Sequence, residues 1–304
     1  MKKSIKTFLK HPTKDSSNRS ANPAVIRAST ILFNSMQELY QHEKKIKKHQ
    51  KVSHYSYGRY GSSTTIELEN ILKELEQAFH VFLTGTGFGG VALAIMSLCR
   101  PGDEIIVSDN VYGPTKEISE KLLKEFDVTA RFYNPDSFED LKNKVSKKTK
   151  MILVENPGSN TFEFQDLSRI INLAKRKKIF TFLDNTWGTP LYLKPLKLGF
   201  DMSFSSATKY FSGHSDAMGG SLAVNKKVFK KIMFFYKLSG YRMSSDEAYL
   251  IIRGLRTLDT RLNQHYENTK QIINFLKKQK KVKEILYPYN PSSKNYKLWK
   301  KYYS

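Results

Sequence analysis

The stretch KIFTFLDNTWG at 178–188, followed by DMSFSSATKYFSGHSD at 201–216, decides how this chain folds. Each contains a largely apolar run of strand length and ends in polar residues, among them Asp184 in the first and Lys209 in the second. Similar runs precede them at 80–84, 104–109, 128–133 and 150–156. A short apolar run bounded by polar residues is typical of a strand covered on both faces, as in a parallel sheet.

Segments with helical spacing separate these runs, at 66–79, 91–99, 112–123, 137–146 and 166–178. Strands that alternate with helices of about 10–15 residues are typical of βαβ units. Because such connections place helices over the sheet, the expected fold class is α/β, a mainly parallel sheet with helices on both faces.

This pattern divides the chain into three parts. Residues 1–60 show little apolar periodicity and several turn formers, so they are expected to form an extended N-terminal arm. Residues 61–258 form the large domain, and 259–304 contain a helix at 262–279, one strand at 282–288 and a helix from 293. Because a lone strand cannot satisfy its own backbone, this last part is expected to be the start of a truncated C-terminal domain.

Composition excludes several classes of protein. Of 304 residues, 39% are hydrophobic and 12% aromatic, which excludes general disorder. No apolar run approaches the roughly 18 residues of a membrane span, and the basic start lacks the features of a secretory signal. The single cysteine, Cys99, excludes an intramolecular disulfide and is expected in the core. We therefore expect a cytoplasmic protein without membrane contact.

The net charge of +23 raises the question of nucleic-acid binding. Only 11 of the 51 cationic residues are arginines, the type that suits bidentate phosphate recognition. The lysines are scattered through predicted helices and loops, as at 44–51 and 277–283. This distribution favours a solvated surface, and no nucleic-acid partner is expected.

A glycine cluster follows the first predicted strand. Residues 85–90 match G-x-G-x-x-G, and Asp109 lies 19 residues beyond Gly90, where a ribose-binding acid would lie in a dinucleotide site. The backbone N–H groups of such a helix N-terminus can hold any phosphate, whereas a tight turn with close packing would explain the glycines equally well.

Asp184 and Lys209 are the two candidate reactive residues. An acid at the carboxyl end of a parallel strand lies where ligands bind in α/β sheets, although it could also cap a turn. Lys209 follows a predicted buried strand, and burial would lower its pKa and free the amine to act as nucleophile or base. Neighbouring Ser206 and Thr208 could donate hydrogen bonds to a phosphate.

The segment SATKYFSGHSDAMGG at 206–220 resembles the lysine segment of the Cys/Met-metabolism enzymes, a family that depends on pyridoxal 5'-phosphate. Further matching segments follow the family's order: YSYGRYG (55–61), the cluster at 85–90, VSDNVYGPT (107–115), ENPGSNT (155–161), DNTWGTP (184–190) and RGLRTL (253–258). The resemblance implies the type I, aspartate-aminotransferase-like fold of pyridoxal-phosphate enzymes, with the cofactor bound by residues 61–258.

The resemblance also implies roles for individual residues. Lys209 would bind the cofactor covalently and move the Cα proton, Asp184 would pair with the pyridine nitrogen, and Tyr112 would stack on the ring. Gly87 and Phe88, through their backbone N–H groups, would hold the phosphate.

Further phosphate contacts are implied for the hydroxyls of Ser206 and Thr208. Tyr57 and Arg59, from the arm, would reach the phosphate of a neighbouring subunit's cofactor. This implies a homo-oligomer, a dimer of dimers, whose active sites are shared between chains.

The implied activity is carbon–sulfur lysis. The sequence Pro157-Gly158-Ser159, where γ-acting relatives usually have PTNP, favours the β-lyase branch, which eliminates homocysteine from L-cystathionine and leaves pyruvate and ammonia. Cystine or cysteine would undergo the same elimination. A γ-lyase or γ-synthase, a desulfhydrase-type lyase and an inactive cofactor-binding fragment are the alternatives, the last because the family's serine–tryptophan loop and its carboxylate-binding arginine have no counterpart here.

Other conspicuous residues favour structural roles. His214 follows a turn glycine and is expected to be a structural hydrogen-bonding residue, and Trp187 is expected to pack beneath the strand that ends at Asp184. The remaining histidines show no metal-ligand spacing, so no metal is expected: His11, His42, His49, His54, His80 and His265.

Overall fold

The computed structural model describes residues 4–10, 20–48, 52 and 54–303. Its strands are β1 (His80–Thr84), β2 (Glu104–Ser108), β3 (Thr129–Tyr133), β4 (Thr149–Glu155), β5 (Phe180–Asp184), β6 (Met202–Ser206) and β7 (Gly220–Val224). They form one seven-stranded sheet in the order β1-β7-β6-β5-β4-β2-β3.

From β6 to β3 all neighbouring strands are parallel, which confirms the predicted mainly parallel sheet. The exception is β7, which runs antiparallel between β1 and β6. The sequence patterns did not predict β7, because Gly220, Ser221 and Ala223 give it a weak strand signal. Two antiparallel pairings in succession leave β1 parallel to β6.

Fourteen helices surround the sheet in the described part of the chain. They are α1 (Ile5–Lys10), α2 (Met36–Lys47), α3 (Ser63–Glu76), α4 (Gly87–Leu98), α5 (Gly113–Glu117), α6 (Leu123–Glu125), α7 (Phe138–Lys144), α8 (Leu167–Lys177), α9 (Thr189–Tyr192), α10 (Pro195–Leu198), α11 (Lys226–Ser239), α12 (Ser245–Leu255), α13 (Leu258–Leu276) and α14 (Tyr296–Tyr303). A π-helical turn (Ile118–Leu122) joins α5 to α6, and a 3₁₀ turn (Gly58–Tyr60) precedes α3.

Helices cover both faces of the sheet because successive strand residues are apolar. In β4, Met151 and Leu153 pack on the side of α4 and α11, whereas Ile152 and Val154 pack on the side of α8. Each buried side chain of this size contributes about 1.5–3 kcal/mol relative to its exposed state. Cys99 lies in the same core, only 6% exposed, as expected.

The first 60 residues are not extended throughout, contrary to the expectation from sequence. They contain α1 and α2, and α2 begins after Ser35, whose hydroxyl accepts a hydrogen bond from the Glu38 N–H at 3.1 Å. This capping bond offsets the weak apolar periodicity. Residues 1–3, 11–19, 49–51 and 53 lie outside the described residues, and the domain boundary at 60 stays a prediction.

The prediction of a strand at 282–288 is wrong. These residues have irregular backbone, pair with no strand in the described chain, and leave Leu286 51% exposed. A strand forms only where a partner supplies its hydrogen bonds, and apolar residues alone do not supply one. The helices predicted at 262–279 and from 293 are confirmed as α13 and α14.

The last helix, α14, docks on the large domain. The Tyr302 hydroxyl donates to Asp166 Oδ1 at 2.5 Å, and the Tyr303 hydroxyl donates to the Asn156 carbonyl at 3.0 Å. Residues 259–303 therefore contact the large domain directly, and their assignment to a separate domain stays a prediction. No helix among the described residues combines the length and apolarity that a membrane crossing requires.

Gly254 in α12 provides a test of the packing around the lysine segment. A Cβ at this position would overlap the carbonyl oxygens of Phe211 and Ser212, which are backbone atoms and cannot rotate away. We expect Gly254→Ala to lower the free energy of unfolding by about 1–3 kcal/mol, as overpacking does. Gly113→Ala is the control, since nothing lies within 4 Å of its added methyl group. Urea unfolding of the loaded protein measures both, and equal midpoints would contradict this packing.

Candidate functional site

Three polar side chains lie at the carboxyl ends of neighbouring strands. Glu155 ends β4, Asp184 ends β5, and Lys209 follows β6. The register pairs Glu155 directly with Asp184. Because β1 is parallel to β6, the N-terminus of α4 lies at the same edge of the sheet. The topology thus gathers two acids, an amine and a helix N-terminus in one place.

The side chain of Lys209 lies beside the ring of Tyr112. Its Nζ is 5.1 Å from the centre of the Tyr112 ring. Its backbone N–H donates to the Ser206 carbonyl at 3.1 Å, in the turn that follows β6. The lysine is exposed, so the expectation of a buried amine is wrong: the turn leaves the long side chain at the open surface of the site.

Asp184 is buried, with only 9% of its surface exposed. Its Oδ1 accepts a hydrogen bond from the Thr186 N–H at 2.9 Å. Burial raises the pKa of the carboxyl to about 6, and the hydrogen bonds from Thr186 and the positive charge of Lys209 oppose that rise. Asp184 therefore caps the turn and also lies at the carboxyl edge of the sheet, so one position satisfies the geometry of both alternatives, and its role toward a ligand stays a prediction.

Glu155 is a site residue that the sequence analysis missed. It is half-buried, and desolvation together with the charge of Asp184 raises its pKa to about 8. The loop that carries Tyr112 contributes a hydrogen bond, in which the Tyr112 N–H donates to Oε2 of Glu155 at 2.7 Å. The same signal that selected Asp184, an acid at the end of an apolar run, is present in KMILVEN at 150–156 and could have found it.

The glycine cluster forms the N-terminus of α4. The Thr86 hydroxyl accepts from the Gly89 N–H at 2.9 Å, which caps the helix. The N–H groups of Gly87 and Phe88 are in the first turn, where a helix has no carbonyl partners for them. A Cβ at Gly87 would lie 2.7 Å from Ser206 Oγ, so the glycine keeps a gap open beside that hydroxyl. The structure therefore brings the first turn of α4, which contains Gly87 and Phe88, close to Ser206.

Thr208 uses its hydroxyl on the backbone. Its Oγ1 donates to the Gly219 carbonyl at 3.3 Å and accepts from the Gly219 N–H at 3.0 Å. These bonds hold the turn that carries Lys209 against the segment that leads to β7.

Tyr57 and Arg59 lie in the arm, and Arg59 contacts α11. The Arg59 guanidinium lies 4.9 Å from the centre of the Tyr60 ring and donates to the Lys237 carbonyl at 3.5 Å. Tyr57 is 44% exposed. Within the described residues, no hydrogen bond, ion pair or ring contact joins either side chain to Lys209.

An open pocket of about 880 Å³ extends from Lys209. Trp187 lines it, with its ring edge-on to Phe162 and Tyr303 at centroid distances of 6.2 and 5.8 Å. The expectation that Trp187 packs beneath the strand is therefore wrong, because the turn after Asp184 carries it into the pocket wall.

Two further residues have structural contacts. His214 Nδ1 bonds to the Ser212 carbonyl at 2.7 Å, which confirms the expected structural hydrogen bond. Asp109 is exposed and forms an ion pair with Lys116 at 2.5 Å, so it is already partnered outside the glycine loop. Of the remaining histidines, His11 and His49 lie outside the described residues.

Comparison with known proteins gives consistent results. The model of the family described as Cys/Met metabolism PLP-dependent enzyme matches residues 6–304. The chain is 32% identical to a cystathionine β-lyase of Bordetella avium, over 98% of this chain and 76% of that protein. It is 33% identical to an L-alanine/L-glutamate racemase of Wolbachia pipientis, over 93% of this chain and 71% of that protein.

Among solved structures, cystathionine γ-lyase from Lactobacillus plantarum in complex with L-serine is similar, with a TM-score of 0.90 and 27% identity. That match covers 99% of this chain and 76% of the solved one. At this coverage the similarity extends over the whole sheet and its helices, and not only over the segments around Asp184 and Lys209.

Proposed function

Because the chain belongs to the Cys/Met metabolism PLP-dependent enzymes, whose cofactor is pyridoxal phosphate, we propose that it is a carbon–sulfur lyase acting on L-cystathionine. The products would be homocysteine, pyruvate and ammonia. The observation that carries this proposal is the placement of Lys209, Asp184 and Tyr112 at one edge of the sheet, in a chain 32% identical to a cystathionine β-lyase.

The residues present fit the cofactor. Lys209 offers an amine for covalent attachment, and Asp184 offers a buried carboxylate for the pyridine nitrogen. The N-terminus of α4 offers free N–H groups at Gly87 and Phe88, and the gap that a Cβ at Gly87 would fill lies beside Ser206. Thr208 is proposed to act with Ser206, which requires its single hydroxyl proton to leave the Gly219 carbonyl, 3.3 Å away, and turn to the phosphate.

When bound, pyridoxal phosphate supplies an electron-withdrawing ring that stabilises negative charge at Cα of an attached amino acid. Lys209 would take the Cα proton of that amino acid on Nζ. Asp184 would hold the pyridine nitrogen protonated through its negative charge, and Tyr112 would cover the ring. Lys209 would then give the proton to the thiolate that leaves from Cβ, and hydrolysis by one water molecule would yield pyruvate and ammonia.

Tyr57 and Arg59 are proposed to complete the phosphate site of a neighbouring subunit. Support comes from their place on the arm, where Tyr57 is 44% exposed and the Arg59 side chain contacts its own segment and α11. The proposed assembly is a dimer of dimers with shared active sites.

Racemisation of an amino acid is a second candidate. The 33% identity to an L-alanine/L-glutamate racemase is as high as the identity to the β-lyase. Both reactions start with removal of the Cα proton, which is the step proposed for Lys209. They differ in the next step, since a racemase returns the proton to Cα whereas a lyase expels a group from Cβ.

Product analysis tests this proposal. The loaded protein is incubated with L-cystathionine, and the 2-oxo acids are separated and identified. Pyruvate with an equal amount of homocysteine is the expected result. Production of 2-oxobutyrate would instead show γ-elimination, and D-alanine formed from L-alanine without any 2-oxo acid would show a racemase.

A further inference from the structure

Glu155, which is half-buried, and Asp184, which is buried, are two acids side by side at the edge of the sheet. They are direct register partners at the ends of β4 and β5. Lys209 is the positive charge that acts on both carboxyl groups. The mechanism proposed above gives a task to Asp184 and to Lys209, and none to Glu155.

The Glu155 carboxyl group joins two loops of the site. Its Oε2 is 2.7 Å from the Tyr112 N, in the loop that follows β2, and its Oε1 is 2.6 Å from Ser159 Oγ, in the loop that follows β4. The Tyr112 N–H can only donate, so one oxygen must accept. At Ser159 the separation fits a hydroxyl that donates to a carboxylate and equally a carboxylic acid that donates to the hydroxyl.

Other hydrogen bonds also join the same two loops. The Ser159 N–H donates to the Asn110 carbonyl at 2.9 Å, and the Asn110 amide donates to Glu163 Oε2 at 3.2 Å. A Cβ at Gly158 would overlap the Asn110 side chain, so the loops approach as closely as glycine permits. Among the residues that join the two loops, Glu155 is the one whose carboxyl group contacts the Tyr112 backbone and interacts with the charges of Asp184 and Lys209.

We propose that Glu155 is a positioning residue whose carboxyl group fixes the backbones of Tyr112 and Ser159 and thereby holds the Tyr112 ring beside Lys209. This inference rests on the proposed role of Tyr112. It assigns Glu155 no direct contact with substrate.

The charge of Asp184 also acts on the Glu155 carboxyl group. Burial and the charge of Asp184 raise the pKa of Glu155 to about 8, and burial raises the pKa of Asp184 to about 6. The two acids are register partners, so their protonation is linked and belongs to the pair. The charged group that faces the pair from the turn after β6 is Lys209, which lowers the pKa of both acids.

Two substitutions separate positioning from charge. Glu155→Gln keeps both contacts, because its amide oxygen accepts from the Tyr112 N–H and its amide nitrogen donates to Ser159. Glu155→Ala removes both. Glu76→Gln is the control, because Glu76 likewise has a pKa raised to about 8 but is buried away from the site, where it accepts a hydrogen bond from Ser203.

The first readout is the visible circular dichroism of the bound cofactor, which reports the ring packed against it and needs no substrate. Glu155→Ala is expected to lose this signal to the extent that Tyr112→Ala does, and Glu155→Gln and Glu76→Gln are expected to keep it. With substrate, Glu155→Ala is expected to lower kcat roughly 10- to 100-fold, the cost of a misplaced active-site group.

The second readout is the pH midpoint of the absorption change of the bound cofactor. Since Glu155→Gln keeps both contacts, it is expected to shift the midpoint less than Glu155→Ala does. A shift as large as that of Glu155→Ala would show that the charge of Glu155, and not its contacts, acts on the site, and a wild-type dichroism signal in Glu155→Ala would show that Glu155 positions nothing. Either result overturns the inference.

Should Glu155→Ala fail to fold, Glu155→Asp replaces it, since the shorter side chain cannot span Tyr112 and Ser159; a wild-type dichroism signal in that variant overturns the inference equally. If L-cystathionine is not turned over but the dichroism matches the expected pattern, the substrate assignment fails and the role of Glu155 stands.

Discussion

Lys209→Ala is expected to abolish turnover, with a loss in kcat of roughly 10³-fold or more, because it removes both the covalent attachment point and the base at Cα. No second amine is in place to substitute, since Lys209 is the only lysine among the described residues that line the pocket. The measurement is the rate of 2-oxo acid release, together with the visible spectrum of the protein mixed with pyridoxal phosphate.

Two controls make this result specific to the amine of Lys209. Lys226→Ala removes an exposed lysine at the start of α11 and is expected to behave like the wild-type protein. Lys209→Arg keeps the positive charge but cannot provide a neutral amine, because the guanidinium stays protonated. It is therefore expected to be as inactive as Lys209→Ala. Substantial turnover by the arginine variant would contradict the proposed role.

Asp184→Asn is expected to lower kcat by about 10²- to 10³-fold, the range seen when one preorganised electrostatic partner is lost. The substitution is nearly isosteric and an amide oxygen can still accept the Thr186 N–H, so the turn is retained. The negative charge beside the pyridine nitrogen is lost. The kcat of the variant measures the effect of losing this charge. Far-ultraviolet circular dichroism checks that the variant keeps its fold.

The pH dependence of cofactor binding provides an independent check on Asp184. Burial raises the pKa of this carboxyl to about 6, so the group is ionised above that pH and takes up a proton below it. Affinity of the apoprotein for pyridoxal phosphate is therefore expected to fall as the pH falls through about 6. The phosphate of the ligand titrates in the same pH range. Because Asp184→Asn lacks the carboxyl group, the pH dependence of binding in this variant measures the contribution of the phosphate alone. An identical pH dependence in the variant would show that Asp184 does not contribute.

Much of the fold could be predicted because it is encoded locally. The runs at 80–84, 104–109 and 150–156 are short and apolar, and the structure confirms each as a strand. The direction of each strand depends on the connection that precedes it, so helical crossovers already imply parallel pairing. The antiparallel strand β7 lacks such a signal, because its pairing with β1 depends on residues more than a hundred positions away.

The candidate site shows the same division. Lys209 and Asp184 were predicted because each comes at or after the end of an apolar run, and the structure places them at one edge. Glu155 carries the same signal, but its importance depends on being the register partner of Asp184 and on contact with the Tyr112 backbone. Neither fact can be read from spacing along the chain.

The sequence by itself determined the alternation of strands and helices, the membership of the family and the kinds of reactive group, since these depend on residue type and local order. Only the tertiary structure decided that the segment at 282–288 forms no strand with the described residues, that Trp187 lies in the pocket wall, and that Glu155 and Asp184 are neighbours at one edge of the sheet. The physical reason is that hydrogen-bond partners, burial and the pKa of an acid are set by neighbours in space, and those neighbours come from distant parts of the chain.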